Sequence, residues 1–186
     1  MPSFPLTLLG IFGLLVVLAI VTYNRLVVLR NRVAEAWADI DVQLKRRYDL
    51  IPNLVATVKG YARHEKTVFD KVTKLRAAAL SAGTVKEKAR AEHLITEALK
   101  SVFAVAENYP VLKASDNYRD LQEELTDTED KIAASRRFYN GVTRDYNTAL
   151  ESFPTSVIAR YLKFSPQELF ELKDESTRDV PKVSLS

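Results

Sequence analysis

No charged side chain occurs in the first 24 residues, and from Leu6 to Val21 the chain is an almost unbroken apolar run that closes at Tyr23. Counted from Pro5 to Tyr23, the run supplies about 19 residues at roughly 1.5 Å each, which matches the ~30 Å hydrocarbon layer of a bilayer. A cleaved signal peptide fits less well. There is no basic segment before the run, the run is long for a signal core, and no small-residue cleavage site follows it. The chain has no cysteine, so lipid modification of an N-terminal cysteine is excluded. Residues 1–24 are therefore expected to be a retained transmembrane anchor.

Charge beside the span sets its expected orientation. Only the α-amino group precedes it, whereas Arg25, Arg30 and Arg32 follow at once and Lys45, Arg46 and Arg47 come soon after. Basic residues near a span stay on the cytoplasmic side, although long domains weaken that rule. The expected topology is a single-pass span with the N-terminus out and the rest cytoplasmic. The absence of cysteine removes disulfides, thiolate metal sites and cysteine nucleophiles. A net charge of +3, with acidic and basic residues interspersed, gives no argument for nucleic acid.

Beyond the span, glycine is scarce and alternating strand patterns are absent, so the chain reads as all-α. Apolar or aromatic residues keep one heptad phase through Val33, Trp37, Ile40, Leu44, Ile51, Leu54, Val58, Tyr61, Val68, Val72 and Leu75. Pro52 interrupts them without any cluster of turn residues. The phase predicts one long helix over about 25–82, kinked at Pro52 and continuous with the span. A hairpin at Pro52 is the competing reading. Thr84 and Glu87 have capping-box spacing and open a second helix over about 85–109, closed by Pro110. Its apolar face uses Leu94, Ile95, Ala98, Val102, Val105 and Tyr109.

A third helix, about 115–152, carries Tyr118, Leu125, Ile132, Tyr139, Tyr146 and Phe153 at intervals of seven. The stripe is polar for a core. Tyr118, Tyr139 and Tyr146 need hydrogen-bond partners if buried, either water or charges such as Arg47 and Glu65, or else they line a ligand site. Short helical segments are expected over about 155–172. In these, Ser165-Pro166-Gln167-Glu168 has the composition of a helix start, and Tyr161 and Phe170 are candidate partner contacts. Residues 173–186 are polar and without period, and are expected to be a disordered tail.

These residues also carry a resemblance. The run Glu35-Ala36-Trp37-Ala38-Asp39-Ile40-Asp41-Val42-Gln43-Leu44-Lys45-Arg46-Arg47-Tyr48-Asp49-Leu50-Ile51-Pro52-Asn53-Leu54 closely resembles the LemA family of bacterial membrane proteins. So do Glu107-Asn108-Tyr109-Pro110, Leu121-Gln122-Glu123-Glu124-Leu125, Arg137-Phe138-Tyr139-Asn140, Arg144-Asp145-Tyr146-Asn147 and Phe153-Pro154. The resemblance implies a single N-terminal transmembrane helix continuing into an elongated antiparallel helical bundle, with no established enzymatic activity. The chain departs from the family at Thr155-Ser156, where serine and asparagine are usual, and around Pro166 to Phe170.

Signals for chemistry are sparse. His64-Glu65 lacks the second histidine of a zinc-protease motif, and neither His64 nor His93 has the glutamate that a di-iron bundle requires. The acidic cluster Glu123, Glu124, Asp127, Glu129 and Asp130 lacks calcium-loop spacing. No phosphate-binding or nucleophile-elbow motif occurs. No catalytic residue, metal or cofactor is therefore expected. The sequence points to a membrane-anchored scaffold or adaptor whose partners are the lipid bilayer, membrane or cytoplasmic proteins, or further copies of itself. The alternative is a sensor or ligand-binding module built on the tyrosine seam.

Overall fold

The computed structural model describes residues 3–171, and the expected tail at 173–186 lies outside the described residues. The chain is all-helical. Helices α1 (Ser3–Tyr61), α2 (Lys66–Ser81), α3 (Val85–Glu107), α5 (Asp116–Glu151) and α6 (Thr155–Tyr161) are joined by short connections, with one four-residue helix, α4 (Pro110–Lys113), before α5. Together they form an antiparallel bundle built on α1.

The first helix is one unbroken rod of 59 residues. Its N-terminal part, from Leu6 to Tyr23, exposes its large apolar side chains, and it is long and apolar enough to cross a membrane. From Leu26 onward the same helix buries a stripe, through Val33, Ile40, Leu44, Ile51, Leu54 and Val58.

Pro52 lies inside this helix. Proline has no N–H, so the Tyr48 carbonyl four residues earlier loses its intrahelical donor. Arg76 of α2 replaces it: its Nε donates to that carbonyl at 2.6 Å, while its guanidinium lies 3.9 Å from Asp49. A substitute donor from the neighbouring helix lets α1 run through a proline that would otherwise break it.

That contact also corrects the expected single helix over about 25–82. Residues 28 apart on one straight helix would be roughly 42 Å apart. The chain instead leaves the helix at Ala62–Glu65, and α2 runs back along α1. Gly60 weakens the last turn of α1, since glycine costs about 1 kcal/mol in a helix interior. Folding back buries Phe69, Val72 and Ala79. A sevenfold stripe is satisfied equally by one long helix and by two helices that present the same face to each other, so phase alone did not distinguish them.

Thr84 caps α3 through a complete capping box with Glu87, and α3 then runs parallel to α1. Lys88 reaches Asp41 and sits 5.5 Å over the Trp37 ring, and Arg47 bonds Glu92 and Thr96. The buried face of α3 is Ala89, Glu92, Ile95, Ala98, Leu99, Val102 and Ala106, whereas Leu94, expected on it, is largely exposed. The descending helix α5 packs along α1 with Arg46 against Glu124 and Asp127 at one end and Trp37 against Tyr139 nearer the other.

The two ends of the bundle differ in construction. Beyond about residue 41 of α1, four helical segments surround the core. Below it only α1 and α5 continue toward the apolar N-terminal segment, and the C-terminal segment covers the groove between them. After the cis Phe153–Pro154 peptide, α6 tucks Ala159 against Leu26 and Ala149. It then ends in a Schellman cap. Lys163 adopts φ 57°, its N–H donates to the Arg160 carbonyl, and the Phe164 N–H donates to the Ala159 carbonyl at 2.9 Å. From there residues 164–171 run back along α5 as an irregular strap. The helix expected to restart at Ser165 is absent, because α5 side chains hold the strap's backbone groups in another conformation.

Candidate functional site

The tyrosine seam of α5 is closed by the chain's own strap. Tyr139 Oη donates to the Glu168 carbonyl at 2.7 Å, and Tyr146 Oη donates to the Ser165 carbonyl at 3.2 Å. Each tyrosine is followed by an asparagine whose side-chain amide pairs with the strap as a second backbone would. Asn140 accepts from the Phe170 N–H at 2.8 Å and donates to its carbonyl at 3.3 Å, and Asn147 does the same with Gln167, both bonds at 2.9 Å. Two Tyr-Asn dyads, one heptad apart, thus form a clamp on one helix face. Burial raises the pKa of both tyrosine hydroxyls, so they remain donors at neutral pH.

Tyr118 is also buried, and burial raises its hydroxyl pKa. It does not join the other two: 21 residues along α5 place it about 30 Å from Tyr139. All three tyrosines lie on the buried face of α5, but only Tyr139 and Tyr146 lie under the strap, and their hydroxyls reach strap carbonyls, not Arg47 or Glu65. Phe153, expected on the same stripe, is 84% exposed because α5 ends before it.

The two candidate contacts divide. Phe170 is 3% exposed and packs 5.9 Å from Trp37, whose ring lies 5.4 Å from that of Tyr139 at a tilt of 57°, so it belongs to the core. Tyr161 is 85% exposed on α6.

A second polar feature lies farther from the span. Arg47 is buried and donates to Glu92 at 3.0 Å and to Thr96 at 2.9 Å, and it lies 2.8 Å from Glu129. Tyr48 donates to the other Glu92 oxygen at 2.5 Å. Burial pushes the Glu92 carboxyl up from its ordinary range, against the opposing pull of Arg47 and the Tyr48 hydroxyl. Burial and the neighbouring Glu92 push Tyr48 far up in turn. Both Glu92 oxygens are committed, so the cluster holds α3 and α5 to α1 in the manner of a buried ion pair. A cleft of about 680 Å³ opens beside it toward Arg136, Arg137 and Arg144 of α5. Among the described residues no group of three or more histidine, cysteine or carboxylate side chains is placed to hold a metal ion.

Sequence reasoning did not single out Glu92, Asn140 or Asn147. A carboxylate at helical spacing from Ala89, Ile95 and Leu99 was a readable sign of a buried charge. The Tyr-Asn pair repeated after seven residues was a readable sign of a clamp, but nothing in the sequence identified what it would hold.

The sequence model of the LemA family matches residues 36–185. The chain is similar to Protein LemA of Metamycoplasma hominis, 27% identical over 84% of this chain and 72% of that protein. It is also similar to the magnetosome protein MamQ of Magnetospirillum gryphiswaldense, 24% identical, and to MamQ 2 of Paramagnetospirillum magneticum, 25% identical. Each of these matches covers 81% of this chain but only 65% of the MamQ protein, so the chain spans less than two thirds of those relatives.

Proposed function

The chain belongs to the LemA family, and from that premise we propose that it is a membrane-anchored, non-enzymatic adaptor that binds protein partners or organises the membrane through its helical bundle. The observation that carries this reading is the continuity of α1. One helix serves both as the apolar segment and as the central packing element of the bundle, so whatever docks on the bundle is held to the bilayer without a flexible linker. Strap closure of the tyrosine seam supports outer-surface binding over a ligand pocket at that place. Basic residues directly after the span support a cytoplasmic bundle.

The test is crosslinking and affinity capture from native membranes with the full chain. A partner whose capture is lost when the bundle is deleted and only the span and its flanking arginines remain is the expected result. Undiminished capture after that deletion would overturn the adaptor reading. Protease added to spheroplasts should spare the C-terminal end until lysis; cleavage before lysis would reverse the orientation.

A further inference from the structure

Antiparallel packing brings the C-terminal end of α5 down to the level at which the uncharged segment of α1 ends. Asn24, Arg25 and Arg32 of α1 share a cleft with Thr148, Phe153 and Thr155, and Tyr23 lies 6.2 Å from Phe164. At this level α6 presents two different faces. Ala159 is buried against Leu26 and Ala149. On the other side Val157 and Tyr161, one helical turn apart, are 61% and 85% exposed, and Phe153 and Leu162 are exposed beside them.

We infer that α6 and the turns flanking it form a second membrane contact, lying in the headgroup region of an anionic bilayer beside the span. This rests on the membrane anchoring proposed above. Two observations favour a lipid surface. The first is position: the exposed aromatic and aliphatic side chains sit where the apolar face of α1 gives way to charge, the depth at which amphipathic aromatic rings are most stable. The second is charge. The charged side chains from Asn24 to Arg32 and from Ser152 to Phe164 are Arg25, Arg30, Arg32, Arg160 and Lys163, all basic, and they outnumber the nearby acidic groups, Asp145 in the same cleft and Glu151 at the end of α5. Basic residues placed around an apolar face at this depth complement anionic headgroups. Packing of Ala159 against Leu26 and of Phe164 beside Tyr23 fixes α6 against α1, so the face is preformed.

The chain lacks cysteine, so a single introduced thiol reports one position. The full chain carrying Leu14→Cys, Val157→Cys, Tyr161→Cys or Val111→Cys is labelled with a nitroxide. Each variant is reconstituted into vesicles of phosphatidylcholine with phosphatidylglycerol, and collision with oxygen is compared with collision with a water-soluble nickel chelate. The expected oxygen-to-nickel ratio at 157 and 161 is several-fold above that at 111 and below that at 14. Ratios at both α6 positions equal to that at 111, with 14 still shielded, would overturn the contact and leave the anchor standing. A water-accessible label at 14 would overturn the anchor itself. Spin–spin broadening at 157 that disappears on dilution with unlabelled chain would overturn the proposal by identifying a second copy as the covering partner.

Discussion

The half of the bundle distal to the apolar N-terminal segment and the half proximal to it solve the same packing problem by different means. In the distal half, helical segments bury apolar stripes against one another, and one polar cluster, Arg47 with Tyr48, Glu92 and Thr96, ties α1 to α3. In the proximal half only α1 and α5 continue, and an irregular strap supplies the third side, held by side-chain to backbone bonds from the two Tyr-Asn dyads. Helix-on-helix packing spreads its stabilisation over many side chains. The strap depends on a few directed bonds and two aromatic anchors, Phe164 beside Tyr23 and Phe170 beside Trp37. The proximal half should therefore open locally at a free energy well below that of global unfolding.

The largest expected effect tests the distal half. Arg47→Met leaves the buried Glu92 carboxylate without its guanidinium partner, and the full chain in detergent should lose about 3–5 kcal/mol in denaturant unfolding. A loss below about 1 kcal/mol would show that the cluster is wetter and weaker than its burial implies. Glu92 also gives a pH signature. Its folded pKa is raised by burial, so the folded chain binds a proton that the unfolded chain releases, and stability from this group falls as pH rises from the ordinary carboxyl range. The stability of the parent chain relative to Glu92→Gln should therefore decline as pH rises above the ordinary carboxyl range. A constant difference would mean that Glu92 does not titrate there.

Asn140→Ala should cost about 1–3 kcal/mol, because it leaves the buried backbone groups of Phe170 unpaired. The loss should be local. Amide exchange should accelerate over residues 164–171 while α2 and α3 stay protected. Uniform acceleration throughout the bundle would erase the distinction between the halves.

A smaller effect probes the proline in α1. Arg76→Met removes the donor to the Tyr48 carbonyl and should cost about 1–2 kcal/mol. In a Pro52→Ala background the restored N–H takes over that carbonyl, so the same substitution should cost roughly 1 kcal/mol less. Equal costs in both backgrounds would mean that Arg76 acts only through Asp49 and packing. The smallest effect is a gain. Lys163→Gly relieves a side chain held in the left-handed region and should stabilise the strap junction by up to about 1 kcal/mol, read as slower exchange at Phe164.

Legibility in the sequence followed the same division. The uncharged span, the Thr84 capping box and the α5 heptads through Tyr118, Leu125, Ile132, Tyr139 and Tyr146 are local or periodic signals, and the structure displays them directly. The turn at Ala62–Glu65 was not legible, because Pro52 is the stronger breaker by sequence alone. Its compensation comes from Arg76, 28 positions away. Ser165-Pro166-Gln167-Glu168 carries good helix-start chemistry, yet Asn147 and Tyr146 engage its backbone groups first. Each miss was a place where a distant side chain decided the conformation of a local segment.

The unbroken course of α1 has a mechanical consequence. In the anchored arrangement proposed above, with Arg76 splinting it at Pro52, the helix would act as a lever whose fulcrum is the bilayer surface near Tyr23 and whose arm, to Tyr61, is about 55 Å long at 1.5 Å per residue. A change in span tilt of about 10°, the kind of adjustment by which helices accommodate bilayer thickness, would sweep the far end through roughly 10 Å. Membrane thickness would thus be converted into lateral displacement of the surface formed by α3, α4 and the start of α5.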